Sequence, residues 1–126
     1  METLINEISD RLNILNLSIE DIDLSEKIIL IAINSVENFI KSEINPFIDF
    51  SIIKDIFINI VIGEYLSFIK ISNIQNDISL DDAIKTIKEG DTSITYFENK
   101  NTNLDDIINY FLNNKKLLYR YKKIVW

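Results

Sequence analysis

The sequence predicts a mainly α fold, a four-helix bundle-like domain with a small β-hairpin between the third and last helices. Three observations predict it. Apolar residues recur at spacings of three and four along four segments, the period of one helix face. Polar stretches separate those segments. One stretch, 84–97 (IKTIKEGDTSITYF), instead alternates apolar and polar residues on either side of Glu89-Gly90-Asp91. That pattern reads as two short strands joined by a glycine-dependent turn. A lone hairpin is unstable unless helices or a partner chain cover it. The helices are therefore the scaffold, and the hairpin is the piece they present.

In the first helix, over about 2–15, Leu4, Ile5, Ile8, Leu12 and Leu15 form the apolar stripe. A polar connection follows over 18–23, where Asp23 or Ser25 is placed to cap the next helix. The second helix is expected over about 24–42, with Ile28, Ala32, Ser35, Val36 and Phe39 as one stripe and Ile29, Ile33 and Ile40 widening it. Ala32 and Ser35 are small enough to admit a neighbouring helix. Pro46 ends this segment, because its ring disfavours helical geometry at Asn45.

The third helix, over about 50–71, is apolar around much of its circumference through Ile52, Ile53, Phe57, Ile60, Val61 and Phe68. Such a helix is either central in a core or shared between subunits. A chain of 126 residues has limited surface with which to wrap it, which points toward oligomerisation. Gly63 in its middle costs about 1 kcal/mol against alanine, which suggests close packing there. A polar linker over 72–79 precedes the hairpin. Leu80, Ile84 and Ile87 also fit helical spacing, but 92–97 offers an evident strand partner, which favours strand. The last helix begins at Leu104 behind a Thr102 or Asn103 cap and extends to about Tyr119, with Ile107, Ile108, Phe111, Leu112 and Leu118 as its stripe. The domain therefore spans 1–119, and 120–126 is a basic, aromatic tail.

The chain has no histidine and no cysteine, which removes His-based acid–base catalysis, the common zinc sites and disulfides. The first ten residues lack the basic and apolar regions of a signal peptide, and charged residues interrupt the longest apolar run, so a cytosolic chain with no membrane span is expected. Isoleucine (28) and asparagine (15) are abundant, and lysine outnumbers arginine 11 to 2, a bias of the kind an AT-rich genome produces. The net charge of −7 is uneven: 1–114 carries −12 and 115–126 carries +5. An acidic body repels phosphates and disfavours sequence-independent DNA binding.

No chemistry-bearing constellation stands out. Asp81/Asp82 and Asp105/Asp106 sit where helix starts or turns favour carboxylates. Glu64 is read as a surface or inter-subunit residue. The turn Lys88-Glu89-Gly90-Asp91-Thr92 lacks the GK[ST] ending and following helix of a phosphate loop. The tail interleaves Tyr119, Arg120, Tyr121, Lys122, Lys123 and Trp126, suited to stacking on nucleic acid, to docking in an acidic groove, or to packing back on its own core. The expectation is a non-enzyme without cofactor or metal.

These pieces together resemble the head–tail connector (adaptor) family of tailed bacteriophages and prophages. The resemblance runs through three helices, the stretch IKEGDTSI (87–94), a last helix and the ending LLYRYKKIVW. It implies a structural virion protein at the head–tail junction, assembled in the bacterial cytoplasm. Such proteins form a ring, commonly twelve-fold, beneath the portal. The ring extends the DNA channel and gives the tail a platform. Its partners are further copies of itself, the portal protein, and a tail-proximal connector or tail completion protein. DNA passes without specific binding. By that analogy Tyr119, Arg120, Tyr121, Lys122, Lys123 and Trp126 dock on the portal. Lys88, Glu89, Gly90, Asp91, Thr92 and Ser93 contact another subunit or ring. The competing expectation is a small acidic helical binding module, such as a DNA mimic.

Overall fold

In the computed structural model, residues 2–15, 17–71 and 104–121 are described. Among them the chain is mainly α and contains no strand. The elements are α1 (Glu2–Ile14), α2 (Ile22–Phe39), a π-helical turn (Ile40–Ile44), α3 (Lys54–Ile71), α4 (Leu104–Leu112), α5 (Lys115–Leu118) and a 3₁₀ turn (Tyr119–Tyr121). The expected hairpin at 84–97 lies outside the described residues.

The stripe of α1 behaves as its spacing predicts. Ile8 and Leu12 are fully buried, while Leu4, Ile5 and Leu15 pack at the margin. The link to α2 is less polar than expected, because Leu17 and Ile19 turn into the core. Asp21, rather than Asp23 or Ser25, caps α2: its carboxylate accepts from the Leu24 N–H at 3.1 Å. The cap shifts because Ser25 is drawn inside, where its hydroxyl meets that of Tyr65 at 3.2 Å. Helix α2 thus starts two residues earlier than the spacing suggested. Ala32 is buried but Ser35 faces solvent, so only one of the two small residues meets another element.

At its C-terminal end α2 widens into the π-helical turn, closed by the Asn45 N–H donating to the Ile40 carbonyl at 2.8 Å. Asn45 is extended (φ −164°, ψ 117°), as a residue before proline should be. Two side-chain turns then build the connection. The Asn45 amide oxygen accepts from the Phe47 N–H at 2.9 Å, and the Asp49 carboxylate accepts from the Ser51 N–H at 3.0 Å and hydroxyl at 2.7 Å. These local bonds compete with helix formation, so α3 begins at Lys54 and not at 50, and Ile52 stays 64% exposed.

Helix α3 is the centre of the molecule. Phe57, Ile58, Val61, Ile62, Tyr65 and Leu66 are all buried along it. One chain therefore buries most of this helix by itself, with Ile71 left 82% exposed at its end. Helix α2 covers one side and α4 another. Helix α4 runs antiparallel to α3: Asp105 pairs with Lys70 near one end, and Leu112 lies over Gly63. A Cβ on Gly63 would come within 2.6 Å of Leu112 Cδ2 and 3.2 Å of its backbone nitrogen. The glycine is what lets the two backbones approach, as the sequence suggested. Helix α1 is held against the start of α3 by Glu7–Lys54 (3.0 Å) and Arg11–Asp55 (2.9 Å), both solvent-accessible pairs contributing about 0.2–1 kcal/mol each.

Candidate docking surfaces

The last helix does not continue to Tyr119 as the periodicity predicted. It breaks at Asn113–Asn114, where hydrogen bonds tighten from four-residue to three-residue spacing. The Asn113 N–H still reaches the Asn109 carbonyl (2.9 Å), but the Asn114 N–H reaches Phe111 (3.2 Å). The Asn114 side-chain amide also donates to that Phe111 carbonyl, at 2.9 Å, and so satisfies the end of α4. Asparagine does this readily because its short amide reaches nearby backbone.

The broken helix is then fastened to the body. Leu118 is fully buried. The Lys115 ammonium lies 3.2 Å from the Glu64 carboxylate and 5.1 Å from the centre of the Phe39 ring, joining α5 to α3 and α2. The Asn59 amide donates to Asn114 at 3.4 Å. Glu64 is thus a half-buried partner within one chain.

This arrangement places the predicted docking residues unequally. Tyr119 is 54% exposed and Arg120 is exposed, while Tyr121 is half-buried against the core. Tyr121 therefore belongs to the domain more than to a free tail, and the boundary at 119/120 falls inside the 3₁₀ turn. Lys122, Lys123 and Trp126 lie outside the described residues, as do Lys88, Glu89, Gly90, Asp91, Thr92 and Ser93. The acidic pair Asp81/Asp82 does too. Of the other pair, Asp105 is engaged by Lys70. Among the described residues no group of three or more His, Cys, Asp or Glu side chains is placed to hold a metal, and no helix is long and apolar enough to cross a membrane.

Two surface recesses flank the start of α2. One, about 440 Å³, is lined by Asn6, Ser9, Asp10, Asn13, Ser18 and Glu26, with Ser25 and Ile19 deeper. The other, about 350 Å³, has an apolar floor of Ile5 and Leu30 and a charged rim of Asp23, Glu26 and Lys27. Glu26 borders both. Sequence reading missed this region because its residues come from α1, the link and α2, and no single stretch announces it. The cue that existed was the run of acids from Glu20 to Glu26. A third recess, about 360 Å³, lies over the edge-to-face pair Phe50–Phe57 (5.4 Å, 86°), with Leu4 and Glu37 beside it.

The carboxyl of Asp49 is held below its ordinary value of 3.8, first by the Ser51 hydroxyl and then by the Ser51 backbone N–H, against a small opposing effect of burial. It serves the turn before α3. The described surface thus offers charge and apolar area for contact with another molecule. Comparison of the chain with protein-family models, with curated proteins and with solved structures returned no match.

Proposed function

We propose that this chain is a structural component of a tailed-phage virion, a head–tail connector that forms a ring beneath the portal. The observation that carries the reading is the ordered resemblance of IKEGDTSI (87–94) and the Tyr119-Arg120…Trp126 ending, set behind three helices, to that family. The mainly helical fold is compatible with it. The acidic body also supports it, since a wall carrying −12 over 1–114 repels DNA phosphates and lets the duplex slide. In this reading 84–97 forms a hairpin whose turn, Lys88 to Ser93, meets a neighbouring subunit or ring. The exposed side chain of Tyr119, with Lys122, Lys123 and Trp126, docks on the portal. The protein is not an enzyme.

The test is the mass of the purified protein alone and mixed with portal rings. A ring, alone or on the portal, is expected, and a monomer in both settings overturns the reading. Removing residues 122–126 is expected to leave the fold intact, because Leu118 and Tyr121 remain in place, and to abolish portal binding. Unchanged portal affinity after that deletion would remove the tail assignment. The acidic surface also favours a second reading, a DNA mimic that occupies a nucleic-acid-binding protein. That reading predicts competition with DNA for its target, which a connector does not show.

A further inference from the structure

We infer that the recess between α1 and α2 is the contact surface for a second copy of this chain, whose occupant is the cationic outer face of α5 and the 3₁₀ turn. The recess has an apolar floor, Ile5 and Leu30, beneath a rim of Asp23, Glu26 and Lys27 whose balance is one negative charge. Neither carboxylate has a hydrogen-bond or ion-pair partner among the described residues. The outer face of the C-terminal turn has the complementary character. Lys116 and Arg120 are exposed beside Leu117, itself 38% exposed.

The two faces cannot meet within one molecule in this fold. Lys115 and Leu118 anchor α5 beside Phe39 and Glu64. The recess lies toward the other end of α2, where Glu26 stands 13 residues, about 20 Å, from Phe39. That distance exceeds the screening length of about 8 Å at physiological salt, so neither face neutralises the other in the monomer. Complementary faces at two ends of one chain are satisfied by a neighbouring copy. Repeated head to tail, such a contact closes into a ring or runs into a filament. Glu43, exposed near Phe39, weakens the positive field there but leaves Lys116 and Arg120 on the outer face.

Only the closure into a ring rests on the connector reading; the contact itself does not. The chain has no cysteine, so single cysteines report the contact cleanly. Lys27→Cys and Leu117→Cys proteins, each full-length and retaining the carboxylates and cations of the contact, are treated with a short bis-maleimide separately and as a mixture. The mixture is expected to give at least tenfold more cross-linked dimer than either protein alone, and high salt is expected to suppress it. A chain carrying both cysteines is expected to ladder into higher oligomers. Equal yields in the separate samples, or no cross-link in any, overturn the contact. Rings seen by mass without this cross-link would leave the connector reading standing and remove the contact. The cross-link on a chain that never binds portal rings would do the reverse.

Discussion

Gly63 shows how one residue sets the spacing of two helices. An alanine there gains about 1 kcal/mol of helix propensity. Its methyl must displace the flexible end of Leu112 and press on a backbone nitrogen 3.2 Å away. Overpacking of this kind costs about 1–3 kcal/mol, so Gly63→Ala is expected to be destabilising by roughly 1 kcal/mol in urea titration. Gly63→Val should cost more. An alanine variant more stable than the parent would refute the close approach of α4. The sequence suggested this packing because a mid-helix glycine has a cost that something must offset, but it could not name Leu112 as the neighbour.

Asp49 yields a residue-scale prediction about pH. Its folded pKa is depressed, so its contribution to stability is present above the unfolded value of 3.8 and is lost as pH falls through the lowered folded value. Asp49→Asn keeps an oxygen for the two Ser51 donors but cannot titrate. The variant is expected to lose less stability than the parent on acidification through that window, read from urea midpoints against pH. Identical acid limbs for the two proteins would show that the turn does not couple to this carboxylate.

At the scale of elements, caps and breaks decide what periodicity cannot. The sequence offers Asp23 or Ser25 as the cap for α2, and with Ser25 buried against Tyr65 the role falls to Asp21. Asp21→Ala is expected to cost about 1 kcal/mol by thermal or urea unfolding, with Asp23→Ala nearly neutral. The reverse ranking would mean that the helix starts where the sequence alone placed it. The break at Asn113–Asn114 is similarly a tertiary decision. The pattern through Leu118 fits a continuous helix, yet turning the chain buries Leu118 and brings Lys115 to Glu64 and Phe39. Burying the leucine contributes about 1.5–3 kcal/mol, which outweighs the hydrogen bonds rearranged at the turn.

For the whole molecule, the enclosure of α3 has a consequence for stability. Most of its apolar side chains are buried within one chain, where α2 and α4 pack on it. Folding should therefore not require a second subunit. The urea midpoint is expected to be independent of protein concentration over a hundredfold range in dilute solution. A midpoint that rises with concentration would mean that the core is completed between chains. Contacts between copies, where they form, are then added to a folded monomer through its charged and half-apolar surfaces.

The sequence by itself determined that this chain is mainly helical, which residues of α1 and α4 face inward, and that charge divides between an acidic body and a basic end. Those properties follow from local period and composition, which each segment carries without reference to the others. Only the tertiary structure decided that α3 is wrapped by its own chain, that Ser25 leaves the cap for the core, and that the last helix bends. Each of these depends on which surfaces meet across long sequence separations. The acidic recess beside α2 belongs with them, since Ile5, Asp23, Glu26 and Leu30 become one surface only when α1 lies against α2.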